Sequence, residues 1–323
     1  MPIPIIKLEN VKKSYSGNIV LNGINLEINA GEIFGIIGAS GAGKTTLLRM
    51  LSEFIYPDEG SMLIKLAAIL KPEDQNQNFE PIEKVSNKYK RLVGYASQTP
   101  SLYLNLSTKE NLSYFGTLYN LPGKVISQNI KTLLDLMELS GFENTLSKNL
   151  SGGMQRRLDI ACALIHDPRI LILDEPTADL DPLLSRHIWS MIQSINKKGT
   201  TIIVSSHHVM DLENACTRIG VLKQGNLIHI GTIQHFLNEY AGGQEIHIET
   251  YPGNYDKLLL KITTQGITKK ENRGTEIVFH TLKPEAVLPK LLSDIEKNDE
   301  TLIDIRLQKP SLDDLFKKKE IKI

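Results

Sequence analysis

The stretch that most constrains this chain is Gly38-Ala39-Ser40-Gly41-Ala42-Gly43-Lys44-Thr45, set between an apolar run, Ile33 to Ile37, and a helix-period segment, Thr45 to Leu51. Glycines at such a junction let successive backbone N–H groups turn inward, and the helix that follows adds its partly positive N-terminus, so the two together make an anion cradle. Lys44 would reach the β- and γ-phosphates of a nucleotide, and Thr45 would hold magnesium through its hydroxyl. A ligand-free glycine turn could use the same residues; the strand before and the helix after argue against it.

Around this loop, from Ile3 to about Leu237, short β-branched runs alternate with helix-period segments, which predicts an α/β domain with a mostly parallel sheet. Buried strands are expected at Ile33 to Ile37, Ile170 to Leu173 and Thr201 to Ser205. Ile5 to Tyr15 and Ile19 to Ile28 alternate apolar and polar residues around Ser16-Gly17-Asn18, as an antiparallel β subdomain would. The segment 65–90, rich in Asn, Gln, Lys, Glu and Pro, reads as an exposed, partly mobile loop insertion. After Gly231 the pattern changes. Strands at Glu245 to Glu249, near Ile267, at Glu276 to Thr281 and at Leu302 to Leu307, with helices at Asn254 to Thr264 and Lys283 to Lys297, give a βαββαβ order, the ferredoxin-like α+β plait. Domains are thus expected at 1–237 and 238–323.

Composition narrows the partners. Thirty-seven basic residues balance 37 acidic ones, so no net field draws the chain to nucleic acid or anionic lipid, and no direct nucleic-acid role is expected. Cys162 and Cys216 lie in apolar surroundings and are too far apart for a CxxC pair, which fits a reducing cytosol. The opening Met1 to Ile6 is broken by Pro2 and Pro4 and followed by Lys7, unlike a signal peptide. No apolar run approaches the ~20 residues that cross a bilayer. Work at a membrane would need a partner.

Two further motifs carry chemistry. The strand Arg169-Ile170-Leu171-Ile172-Leu173 delivers Asp174 and Glu175 at its carboxyl end. Asp174 is placed to hold a magnesium shell and Glu175 to take a proton from an attacking water, although adjacent acids after a strand also serve as helix N-caps. Leu150-Ser151-Gly152-Gly153-Met154-Gln155-Arg156-Arg157 leads into a helix whose apolar positions are Met154, Leu158, Ala161 and Ile165. Ser151 reads as its N-cap, and the bare glycine backbone makes a second anion cradle. One nucleotide does not need two cradles in one chain.

The ordered set GASGAGKT, Gln98, LSGGMQRR, ILILDEPTADLDP and SSHH resembles the ATP-binding cassette (ABC) ATPases, phosphate-loop NTPases, from about Ile5 to Thr232. The resemblance implies ATP and magnesium as ligands, with Gly38, Ser40, Gly41, Ala42, Gly43, Lys44, Thr45 and Thr46 around the phosphates. Tyr15 matches the aromatic that stacks on adenine. Gln98 matches a glutamine that senses the metal and the attacking water and hinges to the membrane partner, so Thr45, Gln98 and Asp174 form the expected metal set. The resemblance also makes Ser151, Gly152 and Gly153 serve the ATP of a second subunit, which explains the second cradle. Asp181 matches an acid of the loop crossing between subunits and also stands before Pro182 as an N-cap; His207 matches a histidine that contacts the γ-phosphate. Met154 and Asp179 depart from the usual residues without removing a phosphate contact. His208, beside His207, is expected at the surface.

Leu106-Ser107-Thr108-Lys109-Glu110-Asn111-Leu112 and Phe115-Gly116-Thr117-Leu118-Tyr119 resemble the helical subdomain, about 99–165, of multidrug-type and polymer-type exporter ATPases. Lys309-Pro310-Ser311-Leu312-Asp313-Asp314-Leu315-Phe316 resembles an ending of the same branch. The implied protein is an ATPase subunit that pairs with itself or with another ABC ATPase subunit and energises a separate transmembrane permease, in export. It would lie in the cytoplasm, peripheral on the inner face of the cell membrane. The alternative is a soluble, non-transport ABC ATPase of DNA repair or translation, which would show a coiled-coil insertion or a second cassette; neither is present in the chain.

Overall fold

The structure, a computed structural model, describes residues 3–70, 78–178, 180–207, 212–213, 215–240 (backbone alone for 237–240) and 244–308. Asp179, His208 and the 309–316 ending lie outside the described residues. Two compact units divide the chain, Met1–Gly231 and Thr232–Ile323.

In the first unit β1 (Pro4–Tyr15) and β2 (Asn18–Asn29) form the antiparallel pair that the alternating pattern predicts. Their turn uses Ser16 and Gly17 at φ 50° and 84°. The strand β4 (Glu59–Ile64) pairs with β1, and a short β5 (Glu80–Pro81) pairs with β4. A second sheet has order β10-β9-β3-β8-β7-β6, built from β3 (Ile33–Ile37), β6 (Val93–Ala96), β7 (Ile170–Asp174), β8 (Thr201–Ser206), β9 (Arg218–Lys223) and β10 (Asn226–Gly231). Its central strands are parallel, and only the β9 to β10 pair is antiparallel. Every residue of β3, β7 and β8 is buried, as expected of parallel strands covered on both faces.

Helix α1 (Lys44–Leu51) follows β3. The segment 65–90 departs from expectation: it holds α2 (Leu66–Leu70), β5, a 3-10 turn (Ile82–Val85) and α3 (Ser86–Lys90). Ile82 and Tyr89 are fully buried in the core that β1, β2 and α1 share. Two large apolar side chains in a polar stretch anchored it, and polarity averaged over the segment hid them; 71–77 lie outside the described residues.

The helical part comprises α4 (Thr108–Leu118), α5 (Gly123–Leu136) and α6 (Gly152–Leu164). A capping box starts α4: Glu110 N–H donates to Ser107 Oγ at 3.2 Å and Ser107 N–H to Glu110 Oε2 at 2.7 Å. After β7 comes α7 (Pro182–Asn196).

The second unit opens with α8 (Ile233–Tyr240). Then β11 (Gln244–Tyr251), α9 (Tyr255–Lys261), β12 (Ile267–Asn272), β13 (Ile277–Thr281), α10 (Pro284–Glu296) and β14 (Thr301–Gln308) follow in the order expected of the plait. All pairings in its sheet are antiparallel, in the order β12-β13-β11-β14. Ile246, Ile248 and Phe279 on one face pack on Leu258 of α9 and Leu291 of α10.

Candidate functional site

The loop between β3 and α1 is shaped by two glycines. A Cβ on Gly38 would stand 2.3 Å from the Leu222 carbonyl oxygen. Gly43 has φ 105°, and a Cβ there would stand 2.8 Å from the Val20 carbonyl oxygen. No other residue fits either position. At the start of α1 Lys44 is only 7% exposed, and its Nζ donates to the carbonyls of Gly38 at 2.8 Å and Ala39 at 3.2 Å. Its remaining partner is Glu175 Oε1 at 3.2 Å.

Glu175 leaves β7 at φ 48°, in the left-handed region. Its N–H donates to Ser205 Oγ at 3.0 Å, and the Ser205 hydroxyl donates to Asp174 Oδ1 at 2.6 Å. The other Glu175 oxygen accepts from His207 Nδ1 at 2.6 Å and from His207 N–H at 3.3 Å. Both carboxylate oxygens of a 7% exposed glutamate are therefore engaged, one by a lysine and one by a histidine. A non-glycine residue held at positive φ costs of order 1–3 kcal/mol, and such strain gathers where chemistry is done.

These groups border one cleft of about 490 Å³, lined by Ser40, Gly41, Gly43, Lys44, Thr45, Thr46, Gln98, Glu175 and His207, with Val20 on its rim. Gly38 lies behind it through its carbonyl, Ala42 is buried, and Asp174 is 1% exposed. Tyr15 is 45% exposed, stands 5.7 Å from Lys13 Nζ and does not line the cleft. Ser151, Gly152, Gly153 and Asp181 are also outside it.

Ser151 caps α6, accepting from Met154 N–H at 3.3 Å. Asp181 caps α7, accepting from the Leu183 and Leu184 N–H groups at 3.0 Å each. The two caps are joined by packing, since a Cβ on Gly153 would lie 3.0 Å from Leu184 Cδ1. A Cβ on Gly152 would meet nothing within 4 Å.

Sequence reasoning missed Arg156. It is 4% exposed and donates through Nε to Pro176 O at 3.0 Å, through Nη2 to Asp174 O at 2.9 Å, and through Nη1 to Ser97 O and to Asp159 Oδ2 at 3.2 Å. One guanidinium thus ties α6 to the carboxyl end of β7 and to the Gln98 loop. Asp159 also accepts from Ser101 N–H at 2.8 Å, and burial pushes its carboxyl up to about 6. A cation and an acid three apart in a helix read as a solvated pair; their burial is a tertiary fact. Ser205 was likewise seen only as part of a strand.

A second cleft, also of about 490 Å³, opens between α1, β6 and the helical part, with Phe54, Tyr95, Phe115 and Tyr119 on its walls and Ser97 and Arg49 among its polar groups. Phe54 is 62% exposed. Ser97 lines this cleft while its neighbour Gln98 lines the first.

Glycines that admit no Cβ, a buried lysine and hard oxygen donors from Thr45, Gln98 and Asp174 fit a triphosphate with magnesium. That ion is held through one or two carboxylates with a few further oxygens, substrate phosphates and waters, rather than in an all-protein cage. Among the described residues no three His, Cys, Asp or Glu are arranged to hold a metal by themselves.

A family profile described as "ABC transporter" matches residues 21–178. The linearmycin resistance ATP-binding protein LnrL of Bacillus subtilis (strain 168) is 30% identical over 97% of this chain and 97% of its own length. The Nod factor export ATP-binding protein I of Rhizobium sp. (strain N33) is 32% identical over 96% of this chain and 95% of its own length. Among solved structures, cbiO1 from Clostridium perfringens, part of the ABC transporter complex cbiONQ, superposes with TM-score 0.64 at 29% identity, over 73% of this chain and 92% of that one. The ATP-binding cassette MJ0796, dimeric in a post-hydrolysis state with ADP and Pi, superposes with TM-score 0.60 at 28% identity, over 71% of this chain and 99% of that one.

Proposed function

The chain belongs to the ABC transporter family and is an ATP-binding, ATP-hydrolysing subunit of it, and on that premise we propose that it energises export through a separate permease. Both near-full-length relatives described above serve export or resistance, which supports outward transport. DNA repair or translation is not favoured by them.

The observation that carries the mechanism is the convergence of Lys44, Thr45, Gln98, Glu175 and His207 on one cleft. In our reading Lys44 releases Glu175 when a γ-phosphate enters, because the more highly charged phosphate competes for the same ammonium. Glu175, still oriented by His207 and by its N–H bond to Ser205, is then free to take a proton from water in line with the γ-phosphate. His207 steadies that phosphate. Magnesium, held by Thr45, Asp174 and Gln98, would supply charge neutralisation on the phosphates. Tyr15 would stack on the adenine.

Ser151 to Gly153 serve the nucleotide of a second cassette. Gly152 supports this: among the described residues nothing lies within 4 Å of where its Cβ would be, so the backbone at this helix start is open to an approaching phosphate. ATP that binds only the closed pair shifts the population toward it, and cleavage removes the differential contact. The aromatic second cleft would receive a cytoplasmic segment of the permease, and the adjacent Ser97 and Gln98 would couple the two clefts. Among the described residues no helix is long and apolar enough to cross a membrane, which is consistent with a cytoplasmic subunit held at the inner membrane face by that permease.

The test is reconstitution. The chain, purified from its native membranes with the multi-span protein it brings along and inserted in vesicles, should hydrolyse MgATP faster when a transported compound is supplied. A chain recovered without any membrane protein, with ATPase activity indifferent to membranes, would overturn the transport assignment.

A further inference from the structure

The two edges of the C-terminal sheet are built differently. The edge strand β12 (ITKKEN) carries Lys269 and Lys270, and charged lysines are the common means of keeping a sheet edge from pairing. The opposite edge, β14 (TLIDIRLQ), has no lysine and no proline. Seven of its eight residues are exposed and Ile305 is half-buried; Leu302, Ile303 and Leu307 are 38%, 57% and 53% exposed. One side pairs with β11. Among the described residues no strand pairs with the other.

The side chains of β14 are arranged to suit one partner. Asp304 and Arg306 share a face, with Arg306 Nε 3.2 Å from Asp304 Oδ2 and Nη2 2.6 Å from Glu276 Oε2. Ile305 and Leu307 lie on the core face, opposite Ile248 and Ile246 of β11. Between Asp304 and Leu302 the pairing skips a residue, so no β11 residue is registered opposite Ile303. If the strand is laid antiparallel against a copy of itself about a two-fold axis through Ile305, Asp304 of each copy faces Arg306 of the other, and Ile303 faces Leu307. Opposite charges and apolar pairs then coincide on both sides of the axis, the pairs that stabilise antiparallel strands. Moving the axis by one residue sets Asp304 against Asp304 or Arg306 against Arg306, so that like charges meet. A self-complementary patch of this kind is what an isologous contact requires.

We infer that β14 joins two copies of this chain through their C-terminal sheets, antiparallel and centred on Ile305, with no need for nucleotide. The contact is separate from the ATP-dependent pairing proposed above, because it uses neither cradle.

The full chain, free of nucleotide, is examined by sedimentation equilibrium at micromolar concentration. A dimer is expected, and Ile303→Lys together with Leu307→Lys should weaken it about tenfold or more while leaving the melting temperature and ATP binding unchanged. Register is read by cross-linking: Ile305→Cys should give a disulfide-linked dimer on mild oxidation. Ile303→Cys alone should not, but should link when mixed with Leu307→Cys. A nucleotide-free chain that is monomeric, a dimer that survives the lysine pair, or cross-linking indifferent to position would each overturn the inference. ATP-driven pairing, measured separately, remains readable whichever way this falls.

Discussion

The chain contains two glycine-rich helix starts, and they are built on opposite terms. At α1 the helix begins after Gly43 with no side-chain cap, Gly38 and Gly43 are forced by backbone oxygens within 3 Å while Gly41 has open space, and its lysine is buried against an acid. At α6 the helix is capped by Ser151, and Gly152 has open space around it. The first is shaped by its own chain and keeps a strained, charged cluster ready for an anion. The second is closed by its own serine cap, and among the described residues nothing stands where a Cβ on Gly152 would go.

Breaking the first cradle should have the largest effect. Lys44→Ala leaves Glu175 buried without its cation and removes the phosphate partner, at a cost of about 3–5 kcal/mol by the usual measure of broken buried pairs. ATP affinity in a filter or fluorescence titration should fall by at least about a hundredfold, and unchanged binding would contradict the role given to the loop. Next, Glu175→Gln removes the base but keeps the clamp. Hydrolysis should fall by about 10² to 10⁴ with ATP still bound, and gel filtration should show a larger species that forms only when ATP is added to the nucleotide-free chain; ordinary turnover would remove Glu175 from its role.

The second cradle gives the contrasting result. Gly152→Asp adds an acid at a helix N-terminus, which favours the isolated chain by about 0.3–1 kcal/mol, so the melting temperature should hold or rise. ATP affinity of the single chain should be unaltered while turnover falls by about tenfold or more, because the new charge faces the other subunit's phosphate. If Gly152→Asp leaves turnover intact, the second helix start is only a turn before a helix.

The smallest effect sharpens the comparison from outside both cradles. Glu53 shares the left-handed conformation of Glu175, at φ 55°, is 4% exposed, and among the described residues neither of its oxygens makes a well-formed hydrogen bond, with only the Ser86 hydroxyl and Lys90 as favourable polar neighbours. Glu175 is strained and engaged, whereas Glu53 is strained without such bonds. Glu53→Gly should therefore stabilise the protein by about 1–2 kcal/mol, read as a raised melting temperature. Burial raises the Glu53 carboxyl above its ordinary range, so it is the ionised form that costs stability. The gain should be full near neutral pH and shrink as pH falls toward the ordinary carboxylate range.

Much of this was legible beforehand. The strands β3, β7 and β8 read as apolar runs with few polar ends because parallel strands are covered on both faces, and the plait was readable from period and order. At the first cleft Lys44 and Thr45 were legible because spacing in a strand-loop-helix unit nearly determines where they point, and Glu175 because it directly follows an apolar strand. The segment 65–90 was misread because two anchors, Ile82 and Tyr89, were outvoted by polar neighbours. Arg156 was missed because a helix wheel cannot show that α6 is enclosed around most of its circumference.

The sequence alone determined that this chain has two glycine-rich helix starts and two acids after a strand, because local backbone geometry is set by residues a few positions apart. Tertiary structure decided which of those groups meet. Lys44, Glu175 and His207 come from three separate strand ends, and only the parallel order β3-β8-β7 brings those ends to one edge of the sheet. Contacts between distant segments depend on strand order and burial, which no local spacing encodes.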